Sequence, residues 1–449
     1  LGDLLTWTYQ NLGGIKSDYN KVAFKHIILK PDFSIPDLEF VNALYETPYG
    51  KVVSNWKKNL MKLHWEISIP VNTSAEIHLP NGKIQKIGSG MYTFDVDFPQ
   101  NKAIVTNEFL YEKADFPQCH SATIVETTNG DLVSAFFGGT REGHPDVCIY
   151  VCRKDKGSTT WTKPVLAADG ILSKTERKAC YNPVLYQMEN GPLYLFYKIG
   201  KNVADWKAYL KMSNDGGRNW SKAFPLPDGY LGPIKNKIVD VDGKSIAPSS
   251  RETDGWKVYF EIAENGGRKT HIVGPLAADK AVLTQDMLAG NAIKFTDIEG
   301  GDNSKQSTIQ AIQPSILKHK DGRLQILCRT RNGKIATAWS SDKGETWTPL
   351  TLTNLPNNNS GTDAVTLQDG RHLLIYNNIA TPPGAKKGIR TPLNIAVSDD
   401  GINWKMLLTL EDSPVSQYSY PSIIQGGDGR IHAVYTWRRQ RIKYVELKL

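Results

Sequence analysis

Along most of the chain a polar residue stands directly before a short apolar run, and each run ends in a turn followed by a second apolar run. His120-SATIV, Asn182-PVLY, Asn236-KIV, Gln313-PSIL, Asp363-AVTL and Tyr420-PSII share this pattern. Where the joining turn is Asp-Gly or Asn-Gly, as in PSILKHKDGRLQILCRTR and ATIVETTNGDLVSAFFG, it is a strong local mark of a β-hairpin. The unit recurs about every 55 residues, a spacing typical of a propeller in which each repeat is one blade. If every blade starts its innermost strand at the same point, the six leading side chains ring one mouth of the central channel. The sixth unit stops at RIKYVELKL without a fourth strand. A strand ahead of the first unit, KAIVTNEFL, can complete it and remove the exposed edge.

Residues 1–105 have a different texture. A short amphipathic helix over Asp3–Asn11 precedes KVVSNWKK, LHWEISIPV and SAEIHLP, with a turn at Pro80-Asn81-Gly82. Alternation of period two marks half-buried strands, so this part reads as a small β-sandwich. The predicted architecture is therefore all-β: a sandwich over 1–105 and a six-bladed β-propeller over 106–449.

A second motif, Ser-x-Asp-x-Gly-x-x-Trp, punctuates the repeats. Ser213–Trp220 and Ser340–Trp347 fit it fully. Asp399–Trp404 fits with Val397 at the Ser position, and Asp155–Trp161 is a degenerate copy. These are Asp boxes, and their reading is structural: Asp accepts backbone N–H groups, Gly supplies positive φ, and Trp plugs the gap between strands.

Composition narrows the function classes. The 449 residues are 40% hydrophobic and 22% charged, with 11 Trp and 38 Gly, as suits a turn-rich all-β protein. No apolar stretch approaches the ~20 residues needed to cross a bilayer, and no signal peptide is read at the start. The net charge of +8 suits an anionic partner, but neither a concentrated basic stripe nor a stacking motif suggests nucleic acid. The five Cys lack metal-type spacing and read as buried small hydrophobes. No metal and no cofactor is expected, and a monomer is expected.

The boxes and the stretch HSATIVETTNGDLVSAFFGGTREGHPDVCIYVCR make residues 106–449 resemble the sialidase (neuraminidase) superfamily, in its BNR-repeat, sialidase-like bacterial branch. ETPYGKVVSNWKK, ISIPVNTSAEIHLPNG and IGSGMYTF resemble the C-terminal β-sandwich of bacterial α-L-rhamnosidases. The sialidase resemblance implies a Tyr nucleophile assisted by a Glu, an Asp acid/base, and three Arg that clamp the substrate carboxylate. On that pattern Tyr420 is the nucleophile and Asp146 the acid/base. Arg390 and Arg331, with Arg329 as the lesser alternative, are clamp residues, and Arg141 lines the site. Asn182 and Asp363 join the ring as substrate-binding residues. A periplasmic or secreted location is implied as well.

Two positions depart from the family: His120 stands where the first clamp Arg belongs, and Gln313 stands where the Glu belongs. Gln can orient a Tyr but cannot take its proton, whereas His can act as a base near neutral pH. The expected function is exo-acting hydrolysis of a terminal acidic sugar, sialic acid or a relative, from an acidic oligosaccharide. The alternatives are β-elimination at rhamnose–glucuronate linkages, or a lectin that binds acidic sugar without turnover.

Overall fold

The computed structural model describes the chain apart from residues 1, 34, 36, 37, 39, 59–61, 98–102, 279–308, 383, 384, 386, 414 and 416. It divides into two compact units, Leu1–Ile104 and Val105–Leu449.

Among the described residues the first unit holds two four-stranded sheets. In one, His26–Leu29 runs parallel to Ser74–His78, with Ile15–Ser17 and Ile84–Ile87 at the edges. The other is antiparallel and comprises Phe40–Thr47, Gly50–Lys58, Lys62–Ile69 and Gly90–Asp97. Alternate residues of Gly50–Lys58 are buried (Val52, Ser54 and Trp56), as the period-two pattern predicts. Phe33 stands edge-on to both Trp56 and Trp65, with centroids 5.5 and 5.2 Å away. The predicted N-terminal helix is one α turn and a half, Gly2–Trp7, running into a π turn at Thr8–Leu12. The Leu12 carbonyl there accepts the Trp56 indole N–H at 2.9 Å.

Among the described residues the second unit holds six four-stranded sheets. Five are built from consecutive strands. In the sixth, Tyr418–Gln425, Ile431–Trp437 and Arg441–Leu447 are joined by Ile104–Phe109, the strand anticipated in KAIVTNEFL. First strands such as Gln118–Glu126, Ala179–Gln187 and Ala311–Lys318 are buried almost throughout, so they carry unbroken apolar runs.

Four of these first strands carry a bulge at their leading end. Pairing jumps from His120 to Thr123, Tyr181 to Val184, Ile312 to Ser315, and Ser419 to Ser422. The first residue in each gap has positive φ: Ser121 at 59°, Asn182 at 36°, Gln313 at 56° and Tyr420 at 52°. The structural counterpart of Asn182, Gln313 and Tyr420 is therefore Ser121, and His120 lies one position earlier. The sequence alignment of the leading residues slips here because the first unit has Ala122 where the other three have Pro. A bulge adds one residue and re-aims the side chains around it. Left-handed backbone at a non-glycine residue costs of order 1–3 kcal/mol and needs surrounding structure to hold it.

The Trp-closed turns follow the sequence pattern closely. Ser213 Oγ donates to Asp215 Oδ1 at 2.7 Å and accepts from Gly217 N, and Asp215 Oδ1 accepts Asn219 N at 2.9 Å. Ser340, Asp342, Gly344 and Thr346 repeat the arrangement. Trp347 then stacks on Phe260 of the preceding sheet, 4.5 Å between centroids. The third turn departs from the reading of its sequence. Its serine is Ser398, not Val397 as a stand-in, and Asp400 rather than Asp399 accepts the backbone N–H groups of Ile402 and Asn403. The turn is one residue shorter than the motif, which displaced the alignment. In the degenerate copy Asp155 caps no such turn and instead accepts from Arg153 and Arg218.

Candidate active site

The bulge at Tyr420 places its phenol among donors. Arg329 Nη1 lies 2.7 Å from the Tyr420 hydroxyl oxygen, and Gln313 Nε2 lies 3.3 Å from it. The Arg329 guanidinium also reaches Gln313 Oε1 at 3.4 Å and Asn359 Oδ1 at 3.1 Å. Three cations stand near the ring: Arg390 at 5.5 Å, Arg329 at 5.7 Å and the Lys235 ammonium at 5.9 Å from its centroid. Arg390 itself donates to Gln417 Oε1 at 3.0 Å. Burial, with Arg329 nearby, lowers its guanidinium to about 10, still charged at neutral pH.

His120 packs against Tyr420, 4.2 Å between ring centroids. Its Nδ1 meets Thr436 Oγ1 at 2.9 Å. Burial, with the charges of Arg439, Arg390, Arg329 and Lys235, holds the imidazole well below the usual histidine range, so it is neutral. It is also only 1% exposed. A side chain so covered supports the tyrosine ring; the partly exposed Tyr420 is the one a substrate can reach.

Of the two arginines in CRTRNG, Arg329 is the one at Tyr420. Arg331 instead lies over the Trp256 ring at 4.4 Å, on which Arg329 also packs at 4.9 Å. The lesser alternative in the sequence thus makes the contact: Arg329 lies within the strand Leu324–Thr330, whereas Arg331 lies just beyond its end. Beside them lies Glu252, which the sequence reading passed over. Burial raises its carboxyl above the ordinary range, opposed by Arg329 and Arg331.

Asp363 is not brought to Tyr420. It is fully buried, ion-paired with Lys237 at 2.7 Å, and accepts Ile423 N at 2.9 Å. Asn236 is similarly enclosed and donates to the Gln313 carbonyl and Ser315 Oγ, both at 2.8 Å. Both side chains bond residues of other sheets, which is a structural role. Asn182 is buried at its own bulge. Lys235, a second residue the sequence reading missed, is buried, with Nζ donating to Asn236 Oδ1, Thr362 O and Pro421 O at 2.6–2.8 Å. Burial pushes its ammonium down to about 7. A lone lysine inside GPIKNKIV carries no motif, so only the three-dimensional packing reveals it.

Asp146 lies in the turn Thr140–Asp146. Its carboxylate accepts from Thr140 Oγ1 at 2.7 Å and sits 2.7 Å from His144 Nδ1. Burial raises its pKa, but these partners outweigh that and hold the carboxyl below its ordinary value. It is ionised and locally bonded. Arg141 is exposed in the same turn. The turn nonetheless reaches the cluster's rim through Glu142, which pairs with Arg439 at 2.7 Å. Arg439, Arg390 and Gln417 line a cleft of about 210 Å³ there. Among the described residues no group of His, Cys, Asp or Glu side chains is arranged to hold a metal.

A donor-rich, cationic cluster around one tyrosine suits an anionic ligand. The model of the BNR repeat-like domain matches residues 130–433. The chain belongs to this family. Residues 14–94 match the bacterial α-L-rhamnosidase C-terminal domain. The chain is 24% identical over 270 residues to an anhydrosialidase of Macrobdella decora, covering 55% of this chain and 32% of that protein. It is 29% identical over 79 residues to an α-L-rhamnosidase of Formosa agariphila, covering 18% and 8% of the two chains. It thus spans a third or less of the length of these curated relatives. Among solved structures, the NanB sialidase of Streptococcus pneumoniae matches with a TM-score of 0.57 at 12% identity, covering 91% of this chain and 90% of that one. The intramolecular trans-sialidase of Ruminococcus gnavus matches at 0.55 and 15% identity, covering 78% and 99%. The family is sialidase-like, with a rhamnosidase-type module at its N-terminal end.

Proposed function

We propose that this protein is a glycan-cleaving enzyme that seats a carboxylate-bearing sugar at the Tyr420 cluster and breaks its linkage there. The six sheets are read as the blades of a six-bladed propeller, with the bulged strand ends at one mouth of its channel. The contact that carries the reading is Arg329 Nη1 at 2.7 Å from the Tyr420 oxygen, with Arg390 beside the same ring. Two guanidinium groups fit a carboxylate by bidentate hydrogen bonding. In the relatives of known name the corresponding fold serves sialidases, so a terminal sialic acid or another acidic sugar is the substrate class. Tyr420 is the reacting group, Arg329 and Arg390 the clamp, Gln313 an orienting amide, and His120 a neutral support for the ring.

The test is a screen of sialosides and rhamnosyl-glucuronate glycans for products, with Tyr420→Phe alongside. Turnover lost in Tyr420→Phe while acidic-sugar binding persists supports the reading. Binding by the unaltered protein with no product from any glycan would leave a lectin.

A further inference from the structure

We propose that the cluster cleaves by β-elimination across C4–C5 of a uronate substituted at O4, the Tyr420 oxygen serving in turn as base and acid. This rests on the reading that the cluster seats a carboxylate-bearing sugar. Guanidinium nitrogens only donate, so the Tyr420 oxygen must accept from Arg329, and it receives a second donor in Gln313 Nε2. Among the described residues no acceptor meets the phenol's own proton. An oxygen met by two donors and no acceptor is surrounded as an oxyanion is.

The neighbours agree. Hydrolysis on the sialidase pattern uses a tyrosine nucleophile in place of one of the two carboxyl groups, assisted by a Glu, with an Asp as acid/base. Here the place beside Tyr420 holds the amide of Gln313, and Asp146 is taken up by Thr140 and His144. Elimination asks for different parts. Cations must neutralise the substrate carboxylate so that the adjacent C5 proton becomes removable, and Arg390 and Arg329 are placed for that. One oxygen must then accept that proton and return it.

In this step the Tyr420 phenolate, its proton lost to solvent beforehand, takes the proton from C5. The C5–H electron pair becomes the C4=C5 double bond. The C4–O4 bond breaks and its oxygen departs with the bonding pair. The proton on Tyr420 then passes to that oxygen, restoring the phenolate. The products are an alcohol and an unsaturated uronate, and neither water nor an oxidant is consumed.

The full chain is incubated with α-L-rhamnosyl-glucuronate oligosaccharides and, separately, with sialyllactose. Ultraviolet absorbance of the conjugated enoate and product masses are followed. Elimination predicts rising absorbance from the uronate, a uronate product one water lighter than its saturated counterpart, and slower release when C5 carries deuterium. Tyr420→Phe should lower the rate at least about 10³-fold. Gln313→Leu, an independent variant should Tyr420→Phe fail to fold, should lower it about 10²-fold. Glu252→Gln should leave elimination within a few-fold. A saturated uronate product, or sialic acid released from sialyllactose, overturns elimination and leaves the acidic-sugar reading standing; loss of that product in Glu252→Gln would then assign the acid to Glu252. Saturable sugar binding with no product overturns elimination, and absence of both binding and product overturns the two readings together.

Discussion

At the Trp-closed turns, Asp215 and Asp342 accept backbone N–H groups where Gly217 and Gly344 supply the positive φ. At the leading ends of the first strands, Ser121, Asn182, Gln313 and Tyr420 adopt positive φ with no glycine at all. In the turns every acid is satisfied, and positive φ falls on glycine except at Lys343, at 61°. The bulges hold unfavourable backbone, and the Tyr420 bulge also gathers Arg329, Arg390 and Lys235 with no carboxylate on its hydroxyl. Strain of this kind persists only where the rest of the fold over-determines it. The contrast separates what holds the sheets together from what meets a ligand.

The largest effect should come from removing the hydroxyl at the strained end. Tyr420→Phe keeps the ring against His120 and deletes only the oxygen, so thermal stability should move by about 1 kcal/mol or less. Activity should fall at least about 10³-fold. Stability that collapsed together with activity would erase the distinction between the two regions.

Next in size is the pair of arginines. Arg329→Lys loses the planar fork that reaches Tyr420, Gln313 and Asn359 together, and turnover should drop about 10²-fold. Arg331→Lys alters the stack on Trp256 and should cost a few-fold in KM with kcat nearly unchanged. Equal losses in kcat would dissolve the assignment.

How much of this was legible in the chain follows the same division. The turns were readable because Ser, Asp, Gly and Trp each have a fixed local job. Even the third misled only by a deletion that moved the acceptor from Asp399 to Asp400. The closing strand and the sandwich were readable from alternation. Tyr420, Gln313 and Arg390 came from the family pattern and do meet. Arg329 was ranked below Arg331, since the sequence does not show that the strand ends at Thr330, between the two arginines. His120 was placed in the ring, but its burial beneath Tyr420 depends on packing from the sixth sheet, which no local pattern encodes. Lys235 and Glu252 were invisible for the same reason, and Asp363 looked like a ligand group because its partner Lys237 comes from another sheet.

Lys235 offers a smaller test. Its three hydrogen bonds include one to Pro421 O, beside Tyr420. Lys235→Met leaves that carbonyl without its partner, so kcat should fall about 10-fold by displacing the tyrosine. The pH dependence has a definite sign. The folded-state value of about 7 lies below the 10.5 of a free lysine, so the unfolded chain binds more protons between those limits. Stability therefore rises with pH across that interval, and the substitution should flatten the rise in urea titrations. An unchanged slope would mean that the ammonium is not buried.

The smallest effect belongs to the turns. Backbone N–H groups of Asn219 and Arg218 hold the Asp215 carboxyl down at about 2, against 3.8 for a free side chain, with burial opposing. A depressed acid contributes stability above its unfolded value and loses it as the pH falls through the folded one. Asp215→Asn should therefore cost about 1 kcal/mol at neutral pH. The deficit should shrink as the pH drops from about 4 towards 2, because the unaltered protein loses the same contribution over that range. Turnover per folded molecule should not change. If it did, the Trp-closed turns would be coupled to the bulged strand ends, and the two regions could no longer be treated as independent parts of each sheet.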